Sequence, residues 1–365
     1  MIISRTPFRI SFFGGGTDYP GWFRRHGGSV LATTIDKYCY ITCRHLPPFF
    51  EHRIRVVYSK VESCMHLDEV AHPAVREVLR FLRIDRGVEI HHDGDLPARS
   101  GMGSSSAFTV GLLNALHALE GVMASKEQLA RESIHIEQEV LRETVGSQDQ
   151  ALAAHGGFNH VAFLPDGEIS VRPVVVGRER LAELNGSLML FYSGIQRTAS
   201  SVADSYVAEE DGRHRVLLRM KGLVDEGLSL LNSRAPLAGF GELMREAWEA
   251  KKGLGGMVSN PVVDDMLRAA LDAGALGGKL TGAGGGGFLL LFVPPARRRS
   301  VREALGRLIH VPFRFEGNGS QVIFYDPEED FGELDRERAT RPIERFREMA
   351  DLLAADPPAG KGEGS

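Results

Sequence analysis

Glycine, serine and proline crowd into the segment Pro97-Ala98-Arg99-Ser100-Gly101-Met102-Gly103-Ser104-Ser105-Ser106-Ala107. Glycines let backbone N–H groups approach an anion with no Cβ in the way. A helix starting here also aims its positive dipole end and unpaired N–H groups at that anion. The chemistry such a combination suits is a phosphate cradle. The serine hydroxyls can donate to phosphate oxygens or ligate Mg²⁺, a cation that takes few protein oxygens and keeps much of its water. The segment has no lysine for a Gly-x4-Gly-Lys loop and lacks the third glycine of the dinucleotide fingerprint. A glycine-serine turn capping a structural helix is the competing reading.

Downstream, Val145-Gly146-Ser147-Gln148-Asp149-Gln150 puts one carboxylate in a polar turn, twelve residues after Glu137. Phosphoryl transfer needs a metal to neutralise the phosphates and a group to orient or deprotonate the attacking hydroxyl. Glu137 with Ser105 can hold Mg²⁺, and Asp149 can face the acceptor. The alternatives are a solvated helix face for Glu137, which has Glu132, Glu139 and Glu143 as neighbours, and an ordinary turn or cap residue for Asp149. Near the amino terminus Arg9 sits between apolar strand positions, followed by Gly14-Gly15-Gly16-Thr17-Asp18-Tyr19. A short carboxylate such as Asp18 can accept from two neighbouring sugar hydroxyls, although a structural turn explains the glycines equally well. A further glycine-rich run, Gly282 to Gly287, marks a strand junction where backbone must come close to something. His91-His92-Asp93-Gly94-Asp95 reads as a loop after a strand, since adjacent strand residues face opposite ways and do not converge on a metal.

The elements that must position these residues follow from periodicity. Tyr38–Cys43, 54–58 and 88–91 alternate as strands, and a short helix is expected over 74–82. Ala107, Val110, Leu113, Leu116 and Leu119 fall at helical spacing, so a buried amphipathic helix spans 104–119. Ser125 with Gln128 starts another helix as a capping box. Residues 188–192 read as a buried strand opening a second unit, and helical patterns follow around 200–232 and 240–252. Asn260, Pro261 and Gly274 frame a further helix. The expected division is an amino-terminal domain over 1–185, a carboxy-terminal domain over 186–353 and a disordered tail over 354–365.

Composition limits the function classes. The chain has 365 residues, 25% of them charged, and a formal net charge of -5 with both signs interspersed. That provides no broad electropositive field for a nucleic acid or an anionic membrane. Three cysteines, Cys39, Cys43 and Cys64, argue against a disulfide framework and for a reducing compartment. With no signal-like apolar stretch at the amino terminus and no run near the ~18 apolar residues of a span, a cytoplasmic location is expected.

The three glycine-rich segments, in this order, resemble the signature motifs of the GHMP kinases. The central one follows Pro-x3-Gly-Leu-Gly-Ser-Ser-Ala, with Met102 for Leu and Ser106 for Ala. The last follows Lys-x2-Gly-Ala-Gly-x-Gly-Gly through Lys279, Gly282, Ala283, Gly284, Gly286 and Gly287. The resemblance implies an α+β, two-domain fold, with a left-handed β-α-β unit in the amino-terminal domain and a ferredoxin-like carboxy-terminal domain. It implies that the loop from Pro97 to Ser106, with Ser100, Gly101, Met102, Gly103 and Ser104, cradles the phosphates of ATP. Ser105 and Glu137 would serve Mg²⁺. Asp149 would be the catalytic carboxylate with Arg9 as its cationic partner. Gly15, Gly16, Thr17, Asp18, Gly282, Gly284 and Gly285 would border the acceptor.

For the acceptor, the Glu-His pair that galactokinases carry in the first motif is replaced here by Gly15-Gly16. The run Gly14 to Asp18, with Gly27-Gly28, Ile35-Asp36-Lys37-Tyr38, Gly146 to Gln150 and Phe191 to Arg197, resembles the branch acting on heptose 7-phosphates at the anomeric hydroxyl. A phosphorylated acceptor needs a cationic clamp. Arg197 with Thr198 and Ser200, or Arg24, Arg25 and Lys37, are the candidates. Another sugar 1-kinase of the family, for fucose or galactose, and a non-catalytic sugar sensor on the same fold stay open, as does a homodimer.

Overall fold

The computed structural model describes residues 1–195, 213–326 and 331–340. Its centre is a pair of long antiparallel strands, β1 (Ile2–Phe13) and β2 (Gly28–His45), registered from Ile2 opposite Cys43 to Phe13 opposite Leu31. The register shifts between Pro7 and Phe8. Proline has no N–H for the ladder, so an irregularity there is expected, and it falls two residues before Arg9. The short helix α1 (Pro20–His26) bridges the two strands.

Outside this pair, β3 (Ile54–Val57) and β4 (Val61–Cys64) form a small hairpin. Helix α2 (Pro73–Phe81) then leads to β5 (Val88–Gly94), which lies antiparallel to β2 and parallel to β3. Helices α3 (Ser104–Leu119), α4 (Lys126–Ile134) and α5 (Gln148–His155) come next, followed by β6 (Phe158–Phe163) on β2 and β7 (Ile169–Pro173) on β6. Helix α3 spans the expected residues, but it is buried from Ser106 through His117 and so is enclosed nearly all round. Such a helix reads as a core element.

After α6 (Arg178–Gly186), a second sheet opens with β8 (Leu188–Tyr192). Its helices are α7 (His214–Leu231), α8 (Ala238–Lys252), α9 (Pro261–Asp272) and α10 (Arg298–Ala304). The Asn260 side chain accepts from the Val263 N–H at 3.1 Å, the cap expected for α9. Strands β9 (Gly277–Leu280), β10 (Phe288–Phe292) and β11 (Ile309–His310) complete the sheet in the order β11-β8-β10-β9. Then β12 (Phe315–Glu316) pairs with β2, and β13 (Gln321–Tyr325) pairs with β1. The expected segment 186–353 is therefore not all one unit: its last strands return to the first sheet, where β13 covers the edge β1 would otherwise expose. Helix α11 (Gly332–Ala339) follows, and the expected tail lies outside the described residues.

The two halves share a core where β1 ends. Phe12 and Phe13 meet Phe240 of α8 with ring centroids 5.3 and 5.0 Å apart. This aromatic contact fixes the turn after β1, which carries the first glycine-rich segment, against the carboxy-terminal half. Cys39, Cys43 and Cys64 are buried and not joined in disulfides, and no described helix is long and apolar enough to cross a membrane.

Candidate active site

The phosphate-cradle loop has the backbone an anion site requires. Arg99, Gly101 and Gly103 have φ of 59°, 77° and 75°, alternating with Ser100 and Met102 of ordinary φ. Alternating left-handed residues turn successive N–H groups to one side, and this nest runs directly into the amino end of α3. The first intrahelical bond is Ala107 N–H to Gly103 O, so the N–H groups of Ser104, Ser105 and Ser106 have no helical acceptor. Met102 is fully buried and anchors the loop to the core. The Ser104 hydroxyl closes the loop by accepting from Arg99 N–H at 3.3 Å. Ser100 is buried with its hydroxyl unpartnered, and Pro97 is exposed.

The third glycine-rich run lies on this loop. A Cβ on Gly101 would stand 2.6 Å from Thr281 O, one on Gly282 2.6 Å from Gly101 Cα, and one on Gly287 2.1 Å from Ser100 O. The close approach inferred from sequence is thus backbone against backbone, between loops about 180 residues apart. Gly284 and Gly285 are not turned to this contact. Gly285 N–H donates to Val258 O at 2.7 Å and a Cβ on Gly284 would meet the same oxygen, so both glycines seat the run on the α9 cap. Lys279 also faces elsewhere, donating to Ser11 O and Phe12 O at 3.0 and 2.9 Å and tying β9 to the end of β1.

Arg9 and Asp149 form the centre. Arg9 donates from Nε to Asp149 Oδ1 and from Nη2 to Oδ2, both at 2.7 Å, and from Nη1 to Gly101 O at 2.7 Å. One guanidinium therefore holds the carboxylate bidentately and the phosphate loop with its remaining edge. Asp149 is the second residue of α5 rather than part of an open turn, and the amino end of that helix favours its charge. A Cβ on Gly103 would come 3.4 Å from Asp149 Oδ2, so the carboxylate borders the cradle itself.

Asp18 is brought to the same place, in a different state from the one expected. It is buried, with Oδ1 accepting from Gly16 N–H at 2.9 Å and Oδ2 accepting from Gln148 Nε2 at 2.9 Å. Burial and the nearby Asp149 charge push its carboxyl above the ordinary aspartate value. Thr17 faces inward too: its hydroxyl binds Gly14 O and Ser29 O at 2.8 and 3.0 Å and staples the turn. Gly15 and Gly16 stay half-exposed at the turn's surface.

Glu137 is fully buried, which rules out the alternative of a solvated helix face. The helix widens to a π turn over His135–Val140, which rotates this glutamate inward. Oε2 accepts from Ser106 Oγ at 2.9 Å and from Gln150 Nε2. The serine brought to Glu137 is thus Ser106, while Ser105 stands exposed one residue earlier. Burial pushes the Glu137 carboxyl up to about 7, against the donors Thr109, Ser106 and Gln150.

Comparison with known proteins identifies the family. Residues 69–157 match the family described as GHMP kinases N terminal domain, and residues 233–310 match GHMP kinases C terminal. The chain is a GHMP kinase. It is 27% identical to the D-glycero-alpha-D-manno-heptose 7-phosphate kinase of Campylobacter jejuni, over 78% of this chain and 86% of the relative. The mevalonate kinase of Pyrococcus horikoshii is 31% identical over 54% of this chain and 57% of its own. Among solved structures, a D-glycero-D-manno-heptose 1-phosphate kinase from Bacteriodes thetaiotaomicron superposes with a TM-score of 0.72 at 25% identity, covering 89% of this chain and 99% of that one. As a GHMP kinase the protein takes ATP as its phosphoryl donor.

One finding in this GHMP kinase falls outside the sequence expectations. Lys251, on the last turn of α8, is buried with its ammonium donating to Gly282 O. Burial, and then the Arg9 charge, lower its pKa to about 8. The candidates for the acceptor-phosphate clamp lie apart from this centre or beyond the described residues. Lys37 Nζ is bound to Asp36 Oδ1 at 3.2 Å, Arg24 and Arg25 are exposed on α1, and Arg197, Thr198 and Ser200 lie outside the described residues. Glu137 can offer Mg²⁺ a hard oxygen ligand: Oε1 is buried without a hydrogen-bond partner among the described residues, while Oε2 accepts from Ser106 Oγ and Gln150 Nε2.

Proposed function

We propose that this GHMP kinase transfers the γ-phosphoryl group of ATP to the anomeric hydroxyl of D-glycero-D-manno-heptose 7-phosphate, giving the 1,7-bisphosphate that feeds nucleotide-activated heptose for surface glycans. The observation that carries the phosphoryl-transfer part is the Arg9–Asp149 pair. It joins the phosphate loop, through Gly101 O, to a carboxylate beside Asp18. The choice of acceptor is supported by the first motif, Gly14 to Asp18 without the Glu-His of galactokinases, and by the activity named for the Campylobacter relative; the Bacteriodes structure, named for heptose 1-phosphate, supports a heptose phosphate only.

In this reading the anomeric oxygen attacks the γ-phosphorus in line. The O–P bond to the sugar forms, the bond to the β-phosphate oxygen breaks, and ADP departs. Asp149 accepts or orients the hydroxyl proton, while Arg9 holds that carboxylate in place and faces the developing charge with the N–H groups it keeps free. The nest at residues 99–103 and the amino end of α3 hold the phosphates, and Asp18 with Gly15 and Gly16 borders the sugar. Glu137, with the serine hydroxyls of the same helix end, would hold Mg²⁺, which supplies charge neutralisation to the β- and γ-phosphates. The runner-up is another sugar 1-kinase of the family; an L-fucokinase/L-fucose-1-P guanylyltransferase of Bacteroides fragilis is 25% identical over 78% of this chain and 34% of its own length.

The test is ADP release with a sugar panel: heptose 7-phosphate, heptose 1-phosphate, mannose 6-phosphate, fucose and galactose, with phosphorus NMR of the product. Turnover restricted to heptose 7-phosphate, with a new anomeric phosphate signal, supports the assignment. Preference for an unphosphorylated sugar transfers it to the runner-up.

A further inference from the structure

Helix α8 carries its apolar residues Phe240, Met244, Ala247 and Trp248 on one buried stripe, and Lys251 continues that stripe. The side chain is 6% exposed, and among the described residues its ammonium has one hydrogen-bond acceptor, Gly282 O. An ammonium carries three N–H donors, so two are unmatched among the described residues. Burying a charge this way is costly unless an anion completes it.

The surroundings specify where that anion sits. Gly282 lies directly on Gly101 of the phosphate cradle, so Lys251 is one carbonyl away from the loop. Leu254, three residues on, meets Gly16 of the first turn, where a Cβ would stand 3.8 Å from its Cδ1. The end of α8 therefore lies among all three glycine-rich segments. The charged groups facing it are Arg9 of β1, Asp18 of the first turn and Asp149 of α5, with Lys279 of β9 also in range. Arg9 and Asp149 satisfy each other bidentately, Lys279 is taken by two carbonyls, and Asp18 already accepts from Gly16 and Gln148. Neither Lys251 nor Lys279 has a carboxylate partner among the described residues, but Lys279 spends its donors on two carbonyls and Lys251 on one, so Lys251 is the cation with donors left for an anion.

We propose that Lys251 is a catalytic residue of this kinase, its ammonium held by Gly282 O on one side and contacting the γ-phosphoryl group of ATP on the other. The inference rests on phosphoryl transfer at the Arg9–Asp149 pair and is independent of which sugar accepts. Because the contact is to the γ-phosphate, it distinguishes ATP from ADP. A purely structural lysine bracing the Gly282 loop would affect both nucleotides and the fold alike.

Lys251→Met keeps the length and packing of the side chain and removes the charge; Lys251→Arg keeps the charge. ATP and ADP affinities are measured by calorimetry on the full chain without acceptor, and kcat with whichever sugar the wild-type enzyme phosphorylates. Lys251→Met is expected to weaken ATP about tenfold, leave ADP within threefold and lower kcat by about 10²-fold, the scale of losing one preorganised donor. Lys251→Arg should recover part of the ATP/ADP ratio. Equal weakening of ATP and ADP by Lys251→Met, or an unchanged ratio, overturns the proposal. A wild-type enzyme that accepts no sugar would instead count against the proposed function and leave the nucleotide comparison to decide Lys251.

Discussion

Replacing Asp149 by asparagine keeps the side chain's size and removes its charge, which isolates what the Arg9 pair does. Both carboxylate oxygens accept from one guanidinium at 2.7 Å. An asparagine offers that fork one oxygen and turns an NH₂ group toward the other donor. Arg9 is 5% exposed, so water does not replace the lost acceptor. Breaking a buried pair from one side costs about 3–5 kcal/mol. Here the Asp149 side chain is 23% exposed and one of two bonds survives, which places the loss nearer about 2–3 kcal/mol. At about 2–4 °C per kcal/mol for a domain of this size, Tm should fall by roughly 5–10 °C. Turnover should fall by about 10²-fold or more if the carboxylate takes the acceptor's proton. The double variant Arg9→Met/Asp149→Asn removes the stranded cation, so it should be more stable than Asp149→Asn alone, with a coupling above about 1 kcal/mol. Urea unfolding and steady-state kinetics on the four proteins read both quantities. Turnover of Asp149→Asn within tenfold of wild type, or single effects that simply add, would refute the reasoning.

Gly146→Ala places a Cβ 1.9 Å from Asp18 Oδ2 at a glycine of ordinary φ, so the effect comes from contact alone. KM for the sugar should rise at least about tenfold with KM for ATP nearly unchanged, a shift of roughly 1.4 kcal/mol in acceptor binding; equal changes in both would remove Asp18 from the acceptor side. Glu137 is held near 7, above the ordinary glutamate value. Without metal, the folded state therefore keeps a proton the unfolded state has lost, and stability should fall as pH rises from about 4.5 through 7 and then level off. Glu137→Gln should abolish that fall, gaining up to about 3 kcal/mol at pH 8 in chelator, and should lack the Mg²⁺-dependent rise in Tm expected of wild type. A wild-type Tm flat across this range would contradict the buried carboxylate. Gly282→Ala forces a Cβ to 2.6 Å from Gly101 at a φ of 68°. It should weaken ATP and ADP alike, by calorimetry, which separates loop displacement from the γ-selective effect expected of Lys251→Met.

What the sequence disclosed and what it withheld divide along a physical line. The glycines, Arg9 and Asp149 were legible because a phosphate loop and a carboxylate impose local demands, on φ, on Cβ and on charge, that residue type alone expresses. The helix over 104–119 and the Asn260 cap were legible for the same reason. Why Gly101 and Gly282 must both lack a Cβ was not, since each is the other's obstacle and they meet only after the two halves have packed. Glu137 was singled out, but its burial was hidden by backbone rather than by side chains: a 3.6-residue period leaves it among surface glutamates, and one π turn at His135–Val140 rotates it into the core. Lys251 is the instructive omission, because its signal was present. Phe240, Met244, Ala247, Trp248 and Lys251 recur at spacings of three and four, so the lysine stands on the apolar face of its own helix while Lys252 takes the solvated place. Read as paired basic residues at a helix end, they satisfy the dipole and invite no further question. Read by phase, one of them is a charge placed where only an unmet anion makes burial favourable, and a site that must receive a triphosphate is where such an arrangement is tolerated.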